Sequence, residues 1–226
     1  MLQLNDVGYA YPAQTAPALA QVNFTLPQGS FHWLTGPSGA GKTTLFRLLT
    51  LDLLPTRGTL LFDNRNVTGI TRQQRALLRR KIGVVYQDFR LLPHLTVRQN
   101  VLLPLSLAGA LTKESQQSAA DMLAWVGLSN LAETRAENIS GGEQQRTAIA
   151  RAVVHKPQIL IADEPTGNVD AAMARKIIHL FTELHRHGTT VVLATHDTGL
   201  IKKHPFPVIH LNHGKLSPMQ PEEDTE

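Results

Sequence analysis

The chain has 226 residues, of which 42% are hydrophobic and 18% charged, a balance that predicts a folded protein with a sizeable core. It contains no cysteine, which excludes disulfides and thiolate metal sites and suits a reducing compartment. The N-terminus lacks the basic start and apolar run of a secretory signal, and no apolar stretch is long enough to span a bilayer. We therefore expect a soluble protein that meets a membrane only through a partner or a surface contact.

The net charge is +4, and part of it is concentrated in one short stretch, made of Arg72, Arg75, Arg79, Arg80 and Lys81. Such a cluster can bind the phosphates of nucleic acid or anionic lipid. A solvated helix face is the alternative, and we favour it from the sequence alone. The acidic tail 222–226 is expected to fray.

Apolar runs alternate with helical segments along most of the chain. Strands are predicted at Leu2–Val7, Val22–Leu26, Phe31–Thr35, Gly58–Phe62, Ile82–Tyr86, Ile159–Ala162, Thr190–Ala194 and Val208–Leu211. A polar turn is predicted at Asp63–Asn66. Helices are predicted at Gly41–Thr50, Arg72–Arg80, Lys113–Val126, Gln144–Val154 and Ala171–His187. This alternation predicts an α/β fold with a mostly parallel sheet covered on both faces.

The character of the chain changes between Phe89 and Lys156. Few β-branched runs occur there, two of the predicted helices lie there, and Pro93, Pro104 and Gly127 interrupt the region. We expect one domain over residues 1–226, with an α/β core formed by 1–88 and 157–226. A helical lobe over 89–156 is inserted into this core.

A glycine-rich loop follows the predicted strand Phe31–Thr35. Gly36–Thr43 matches the phosphate-loop pattern G-x-x-x-x-G-K-[ST], in which backbone N–H groups and a helix N-terminus face an anion. Lys42 would reach the β- and γ-phosphates of a nucleotide, and Thr43 would ligate Mg²⁺. A chance match is roughly a 1-in-200 event before this context is counted. The residues expected around the phosphates are Gly36, Pro37, Ser38, Gly39, Ala40, Gly41, Lys42, Thr43 and Thr44.

Two carboxylates end the apolar strand Ile159–Ala162. In a phosphoryl-transfer site, an acid in the place of Asp163 binds Mg²⁺, here through water, and Glu164 can take a proton from the attacking water. Alone, this pattern favours a strand that ends in solvated acids. The phosphate loop in the same chain shifts the interpretation to a hydrolytic site.

The segment Ile139–Arg146 is typical of one family of phosphate-loop proteins. It reads Ile-Ser-Gly-Gly-Glu-Gln-Gln-Arg and resembles the signature motif of ABC ATPases, with isoleucine where leucine is usual. Ser140, Gly141 and Gly142 open a helix and offer a hydroxyl and N–H groups to an anion. Ser140 with Glu143 is also an ordinary capping box, and the two interpretations are compatible.

The resemblance to ABC ATPases covers nearly the whole chain. It implies a P-loop NTPase core of the RecA-like kind, an inserted helical signature subdomain and antiparallel strands at the N-terminus. The implied cofactors are ATP and Mg²⁺, with Thr43, Gln87 and Asp163 at the metal. His196 resembles the switch histidine that contacts the γ-phosphate and joins Glu164 and Lys42 as a catalytic group.

Two further positions carry roles implied by the resemblance. Asn168–Asp170, with Val169 where leucine is commoner, resembles the loop that connects the two ATP sites of an ABC dimer. Tyr11 resembles the aromatic residue that stacks on adenine. Tyr9 lies close enough in the sequence to leave that assignment open, and either tyrosine could simply pack in the core.

The resemblance also implies partners. ABC ATPases bind two ATPs between two head-to-tail subunits, so we expect a homodimer on ATP binding, with Ser140, Gly141 and Gly142 acting on the partner's nucleotide. Asp88–Asn100 lies where family members bind a cytoplasmic helix of an integral membrane partner. Within that stretch, Phe89, Leu91 and Leu92 are either docking residues or part of the lobe's core.

Three functional classes compete within the family. Repair-type members carry long insertions between the phosphate loop and the signature, and translation factors carry two ATPase units. This chain has neither feature, so we expect no nucleic-acid role. A clamp that does not hydrolyse ATP is disfavoured because Glu164 and His196 are both present. The stretches Tyr86–Pro93, Ser140–Arg146 and Ala162–Asn168 most resemble members that act in bacterial cell division, at the cytoplasmic face of the inner membrane. ATPases that release lipoproteins or export macrolides are the alternative.

Overall fold

The computed structural model describes residues 1–12 and 16–217, so the predicted acidic tail lies outside the described residues. The strands are β1 (Leu2–Tyr9), β2 (Leu19–Leu26), β3 (Phe31–Thr35), β4 (Arg57–Phe62), β5 (Arg65–Asn66), β6 (Ile82–Val85), β7 (Ile159–Asp163), β8 (Thr190–Ala194), β9 (Val208–Asn212) and β10 (Lys215–Ser217). The helices are α1 (Lys42–Leu49), α2 (Arg72–Arg79), α3 (Val97–Leu107), α4 (Lys113–Trp125), α5 (Gly141–Val153), α6 (Ala171–Arg186) and α7 (Thr198–Lys203).

The strands form two sheets. An antiparallel sheet has the order β2-β1-β4-β5, and a six-stranded sheet has the order β10-β9-β3-β8-β7-β6. Strands β9, β3, β8, β7 and β6 of the second sheet are parallel, and β10 pairs with β9 in the antiparallel sense. The carboxyl ends of β3, β6, β7 and β8 therefore meet at one edge, where α/β proteins commonly bind ligands.

The parallel sheet separates two apolar cores because successive side chains of a strand point to opposite faces. Ile159 and Ile161 of β7 pack in the core shared with α1 and the antiparallel sheet. Leu160 and Ala162 pack in the other core, together with residues of α5, α6 and α7. Both faces of the parallel sheet are thus covered, which confirms the predicted α/β architecture.

The helical lobe has a third core of its own. It is built from α3, α4 and α5, with Val97, Val101, Leu123 and Val126 among its buried residues. Helix α5 belongs to two cores at once. Its Ile149 and Ala152 pack under the parallel sheet, whereas Ala150 and Val154 pack inside the lobe.

Most predicted elements are confirmed, with ends that shift by one to three residues. The predicted polar turn Asp63–Asn66 is wrong in its second half, because Arg65 and Asn66 pair with Phe62 and Leu61 of β4. Helix α3 was not predicted, since Pro104 lies inside it and marks a helix interruption in a sequence. Strand β10 and the short helix α7 were also not predicted.

Candidate nucleotide-binding site

The phosphate loop connects β3 to α1 at the carboxyl edge of the parallel sheet. A Cβ atom at Gly36 would overlap the carbonyl oxygen of Leu211, and one at Gly41 would lie 2.7 Å from the carbonyl oxygen of Ala18. Gly41 also adopts a left-handed conformation with φ of 101°. Only glycine fits these positions, and the loop can curl its N–H groups inward as a result.

Helix α1 begins differently from the other α-helices of residues 1–12 and 16–217. Its N-cap, Gly41, makes no side-chain hydrogen bond to the first turn. The remaining α-helices there are capped by side-chain oxygens of Thr71, Thr96, Thr112, Ser140, Asp170 and Asp197. The N–H groups at the start of α1 are therefore left for an anion, together with the positive end of the helix dipole.

Lys42 holds its charge at the centre of the phosphate loop. Its Nζ atom donates to the carbonyl oxygens of Gly36 at 2.5 Å and Pro37 at 3.0 Å. An ammonium held there, beside the open start of α1, suits the phosphates of a nucleotide.

The three residues predicted at the metal line one cleft of about 410 Å³. Thr43 contributes a hydroxyl from α1, Gln87 an amide from the segment after β6, and Asp163 a carboxylate from the end of β7. These are oxygen donors, and Mg²⁺ in phosphate-transfer sites is usually held by one or two carboxylates plus substrate phosphates. No group of three or more His, Cys, Asp or Glu residues that could hold a metal occurs within residues 1–12 and 16–217.

The electrostatics of Asp163 favour a cation nearby. Burial raises the pKa of Asp163, and the carboxylates of Glu164 and Asp88 raise it further, while the Lys42 ammonium lowers it. Ionisation of Asp163 is therefore opposed by burial and by the neighbouring negative charges. A divalent cation bound there would offset this unfavourable electrostatic energy.

Glu164 and His196 are brought together by β7 and β8. The Nδ1 atom of His196 lies 2.8 Å from Oε1 of Glu164, and the Thr195 hydroxyl donates to Oε2 at 3.4 Å. Glu164 has a left-handed backbone, with φ of 47°. Its side chain is mostly buried, whereas that of His196 is largely exposed. The two predicted catalytic side chains thus form a hydrogen-bonded pair.

Tyr11 lies beside the start of α1. Its hydroxyl is 3.3 Å from Oγ1 of Thr44, and its ring meets the Tyr9 ring edge-on with centroids 4.9 Å apart. Tyr9 packs against the core under the antiparallel sheet. This arrangement favours Tyr11 over Tyr9 for contact with the base of a nucleotide.

The signature segment begins helix α5, away from this cleft. Ser140 caps α5 by accepting from the Glu143 amide at 3.4 Å. Glu143 in return accepts from the Ser140 amide at 2.8 Å and from its hydroxyl at 2.7 Å. These bonds lower the pKa of Glu143. The predicted capping box is confirmed, and Gly141 and Gly142 form the first turn.

Two buried polar residues next to the site were not singled out in the sequence, Gln145 and Arg151 of α5. Gln145 is 1% exposed and bonds to backbone atoms beside the catalytic pair. Arg151 is 9% exposed and donates to the carbonyl oxygens of Phe89 and Arg90, both left-handed residues. Both residues lie three positions from the buried Ala148, on the apolar spacing of α5, and that spacing was the available signal.

Comparison with known proteins identifies the family. A family model described as ABC transporter matches residues 19–167, well over half of the chain. The chain belongs to the ABC transporter family. It is an ATPase of this family, which converts ATP and water to ADP and phosphate.

The similar sequences extend over almost the whole chain. The cell division ATP-binding protein FtsE of Haemophilus influenzae is 46% identical, over 96% of this chain and 99% of that protein. FtsE of Escherichia coli strain K12 is 41% identical, over 96% of this chain and 97% of that protein. The resemblance to cell-division members of the ABC family is thereby confirmed.

Two solved structures share the fold. The dimeric structure of MJ0796, a bacterial ABC transporter cassette, has a TM-score of 0.89 and 36% identity, covering 96% of this chain and 97% of that chain. A dimeric post-hydrolysis state of the ATP-binding cassette MJ0796, bound to ADP and Pi, has a TM-score of 0.88 and 35% identity at the same coverage. No helix within residues 1–12 and 16–217 of the present chain is long and apolar enough to cross a bilayer.

Proposed function

We propose that this chain is the ATP-hydrolysing subunit of an FtsE-like complex in bacterial cell division. It works as an ATP-bound homodimer with an FtsX-like membrane protein, at the cytoplasmic face of the inner membrane. Through that partner, ATP-driven movement reaches periplasmic peptidoglycan hydrolysis. The observation that carries this proposal is the 41–46% identity to FtsE proteins over 96% of the chain.

The phosphate loop and its neighbours bind the nucleotide. The loop from Gly36 to Gly41 surrounds the phosphates with N–H groups, and Lys42 contacts the β- and γ-phosphates. Tyr11 stacks on adenine. Thr43 and Gln87 would hold Mg²⁺ directly and Asp163 through water; when bound, the ion neutralises charge on the phosphate oxygens.

Glu164 acts as the general base for hydrolysis. It accepts a proton from water as the water oxygen bonds to the γ-phosphorus and the bond from phosphorus to the β–γ bridging oxygen breaks. The products are ADP and inorganic phosphate, with the proton on Glu164. His196 orients the Glu164 carboxylate through its Nδ1 contact of 2.8 Å and lies ready to contact the γ-phosphate.

The position of the signature supports the proposed dimer. Ser140, Gly141 and Gly142 lie outside the cleft lined by Thr43 and Asp163 of the same chain. A head-to-tail pair places them on the γ-phosphate bound by the partner subunit. ATP then favours the closed dimer because its γ-phosphate touches both chains, and hydrolysis removes that contact.

The segment after β6 is suited to docking a membrane partner. Phe89 and Leu91 are half-buried and Leu92 is 36% exposed, and none of them belongs to the three apolar cores. This supports the docking alternative for the three side chains over the core alternative. The segment continues from Gln87, which lines the metal cleft, so movement at the γ-phosphate reaches the same surface.

A second cleft of about 750 Å³ continues this surface between α2 and α3. One wall carries Arg72, Arg75, Arg79 and Arg80, and the other carries apolar side chains that include Leu103 and Leu107. The two walls match an amphipathic cytoplasmic helix with acidic side chains on one edge. The four arginines of the basic cluster, for which the sequence alone favours a solvated helix face, form one wall of the proposed binding site for the partner.

Co-purification with membrane proteins tests this function. The chain is expressed with an FtsX protein, with a lipoprotein-release permease or with a macrolide-export permease, and membranes are solubilised and captured through the chain. We expect retention of FtsX alone. Retention of either other permease in its place would overturn the cell-division assignment in favour of that transporter class.

A variant with Phe89, Leu91 and Leu92 all replaced by alanine tests the docking surface. We expect loss of FtsX with a thermal unfolding midpoint close to wild type, because these side chains contribute little to the cores. Trp125→Ala is the matched control, since Trp125 is 39% exposed on α4, and it should retain FtsX. Undiminished FtsX binding by the triple variant, or a large loss of thermal stability, would contradict docking at this surface.

A further inference from the structure

The buried amide of Gln145 joins the signature helix to the backbone of the catalytic segment. Its Nε2 donates to the carbonyl oxygen of Glu164 at 3.1 Å, and its Oε1 accepts from the amide of Asn168 at 3.0 Å. The side chain is 1% exposed, so water cannot substitute for either bond. One amide of α5 thus holds both the general base and the loop that follows it.

Glu164 depends on such bonds because its backbone is strained. It is left-handed, with φ of 47°, a conformation that is unfavourable for a residue with a Cβ atom and persists only when the surroundings hold it. The Glu164 amide donates to Ala194 at 3.0 Å, and its carbonyl accepts from Gly167 at 3.2 Å. Gln145 supplies the bond that comes from outside the strand and turn, and it comes from α5.

The same helix begins at the signature. Gln145 lies five residues after Ser140, about 7.5 Å along the helix axis. Near its start, a Cβ atom at Gly142 would lie 3.1 Å from the carbonyl oxygen of Asn168, so helix and loop touch at a second point. A small displacement of α5 therefore moves both Asn168 and the carbonyl of Glu164.

We propose that Gln145 is a positioning residue that transmits the state of the signature of a chain to the general base of that same chain. When Ser140–Gly142 contact the partner's ATP, α5 is held in place. Gln145 then fixes the left-handed Glu164 where it can take a proton from the water that attacks the chain's own ATP. Each ATP thereby promotes hydrolysis of the other. This inference rests on the proposed roles of Glu164 and of the signature in the dimer.

Gln145→Met tests the proposal, since methionine keeps the length and burial of the side chain and removes both hydrogen bonds. We expect kcat to fall about 10- to 100-fold, as for misplacement of a catalytic group, with the affinity for ATP unchanged. The Hill coefficient for ATP should fall toward one. Thr147→Val is the matched control: Thr147 is fully buried in α5 and bonds only to the helix carbonyl of Glu143, so its kcat and Hill coefficient should stay at wild type.

A double-mutant cycle with Glu164→Gln separates positioning from general destabilisation. If Gln145 acts through Glu164, Gln145→Met should not slow the residual hydrolysis of Glu164→Gln any further. Additive loss in the double variant would overturn the proposal. A wild-type kcat and Hill coefficient in Gln145→Met would do the same.

Gln145→Leu is measured if the methionine variant does not fold. Leucine is apolar and removes both hydrogen bonds, so the same loss of kcat is expected, and full activity contradicts the role. Turnover at the wild-type rate in Glu164→Gln would instead remove the general base and refute the proposed function. Slow turnover there with an unaffected Gln145→Met refutes only the present inference.

Discussion

Helices α1 and α5 both begin at a glycine-containing segment, and they begin in opposite ways. The start of α1 has no side-chain cap and is surrounded by glycines and Lys42, whereas the start of α5 is closed by the reciprocal bonds of Ser140 and Glu143. An open start is costly unless an anion binds, while a closed start is satisfied alone. The difference is consistent with the proposed function, in which α1 binds nucleotide in a single chain and α5 contacts it only within the dimer.

The contrast extends to the carboxylates beside the two helices. The pKa of Asp163, next to the phosphate loop, is raised by burial and by Glu164. The pKa of Glu143, at the signature, is lowered by its bonds to Ser140. Charge at the first site is compensated only in part, by Lys42, whereas charge at the second site is stabilised by hydrogen bonds to Ser140. Four substitutions test this comparison.

Lys42→Ala removes the cation of the open helix start and should have the largest effect. Loss of a charge-assisted hydrogen bond of about 1.5–3 kcal/mol corresponds to an ATP affinity lowered about 10- to 100-fold. Fluorescent-nucleotide titration measures this loss, with Lys156→Ala as the control because Lys156 lies in the loop after α5 and lines neither cleft. Unchanged affinity would count against the phosphate-loop assignment.

Ser140→Ala should leave the affinity of the single chain for ATP unchanged. It should lower kcat and ATP-dependent dimerisation about 10- to 100-fold, as for loss of one hydrogen bond of about 1.5–3 kcal/mol to a charged oxygen. It also removes a helix cap, which costs about 1 kcal/mol and about 2–4 °C in Tm.

Thr112→Ala matches the stability loss, because Thr112 caps α4 through the same kind of capping box, and it should leave kcat unchanged. An equal kcat in Ser140→Ala and Thr112→Ala would mean that Ser140 only caps the helix.

Asp163→Asn and Glu143→Gln should have the smallest effects on stability, and the effects should be of opposite sign. A raised pKa in the folded state means that the unfolded chain binds fewer protons, so Asp163 costs stability as the pH rises above its unfolded pKa. Asp163→Asn should therefore raise Tm at neutral pH, by about 1–2 °C after solvent screening, and have no effect at acidic pH where both states are protonated.

Glu143 contributes in the other direction. Its lowered pKa supplies stability above its unfolded pKa, and that stability is lost as the pH falls through the folded value. Because Gln can still cap the helix, Glu143→Gln should lower Tm only slightly at neutral pH. Differential scanning fluorimetry from pH 3 to 8 compares the two variants, and shifts of the same sign would invalidate the charge contrast.

The parts of the site that a motif encodes were predictable from the sequence. Short-range patterns, such as Gly36–Thr43 and the strand that ends in Asp163, bring their own geometry, since the backbone conformation follows from the glycines and the strand. Parallel pairing of β3, β7 and β8 then places the loop, the carboxylates and His196 at one edge. The sequence motifs were therefore enough to predict these parts of the site without knowledge of tertiary contacts.

The parts that depend on packing between distant segments were not predictable. Helix α3 was missed because Pro104 disfavours a helix locally, while burial of Val97, Asn100 and Val101 against the lobe overrides that preference. Gln145 and Arg151 fall on the apolar spacing of α5 but carry polar groups. Their partners, at Glu164 and at Phe89 and Arg90, are backbone atoms 19 and 61–62 residues away, which no local pattern identifies.

Helix α5 places side chains in two apolar cores, Ile149 and Ala152 under the parallel sheet and Ala150 and Val154 within the lobe. Removing the lobe would therefore also remove part of the core under the parallel sheet. Deleting residues 89–156 would open a large void beside β6 and β7, so the α/β part should not survive as an autonomous fold. A lobe moved into another protein would in turn expose the side of α5 that packs under the parallel sheet here. Recombination between relatives of this chain should consequently keep α5 and the strands it covers from the same parent.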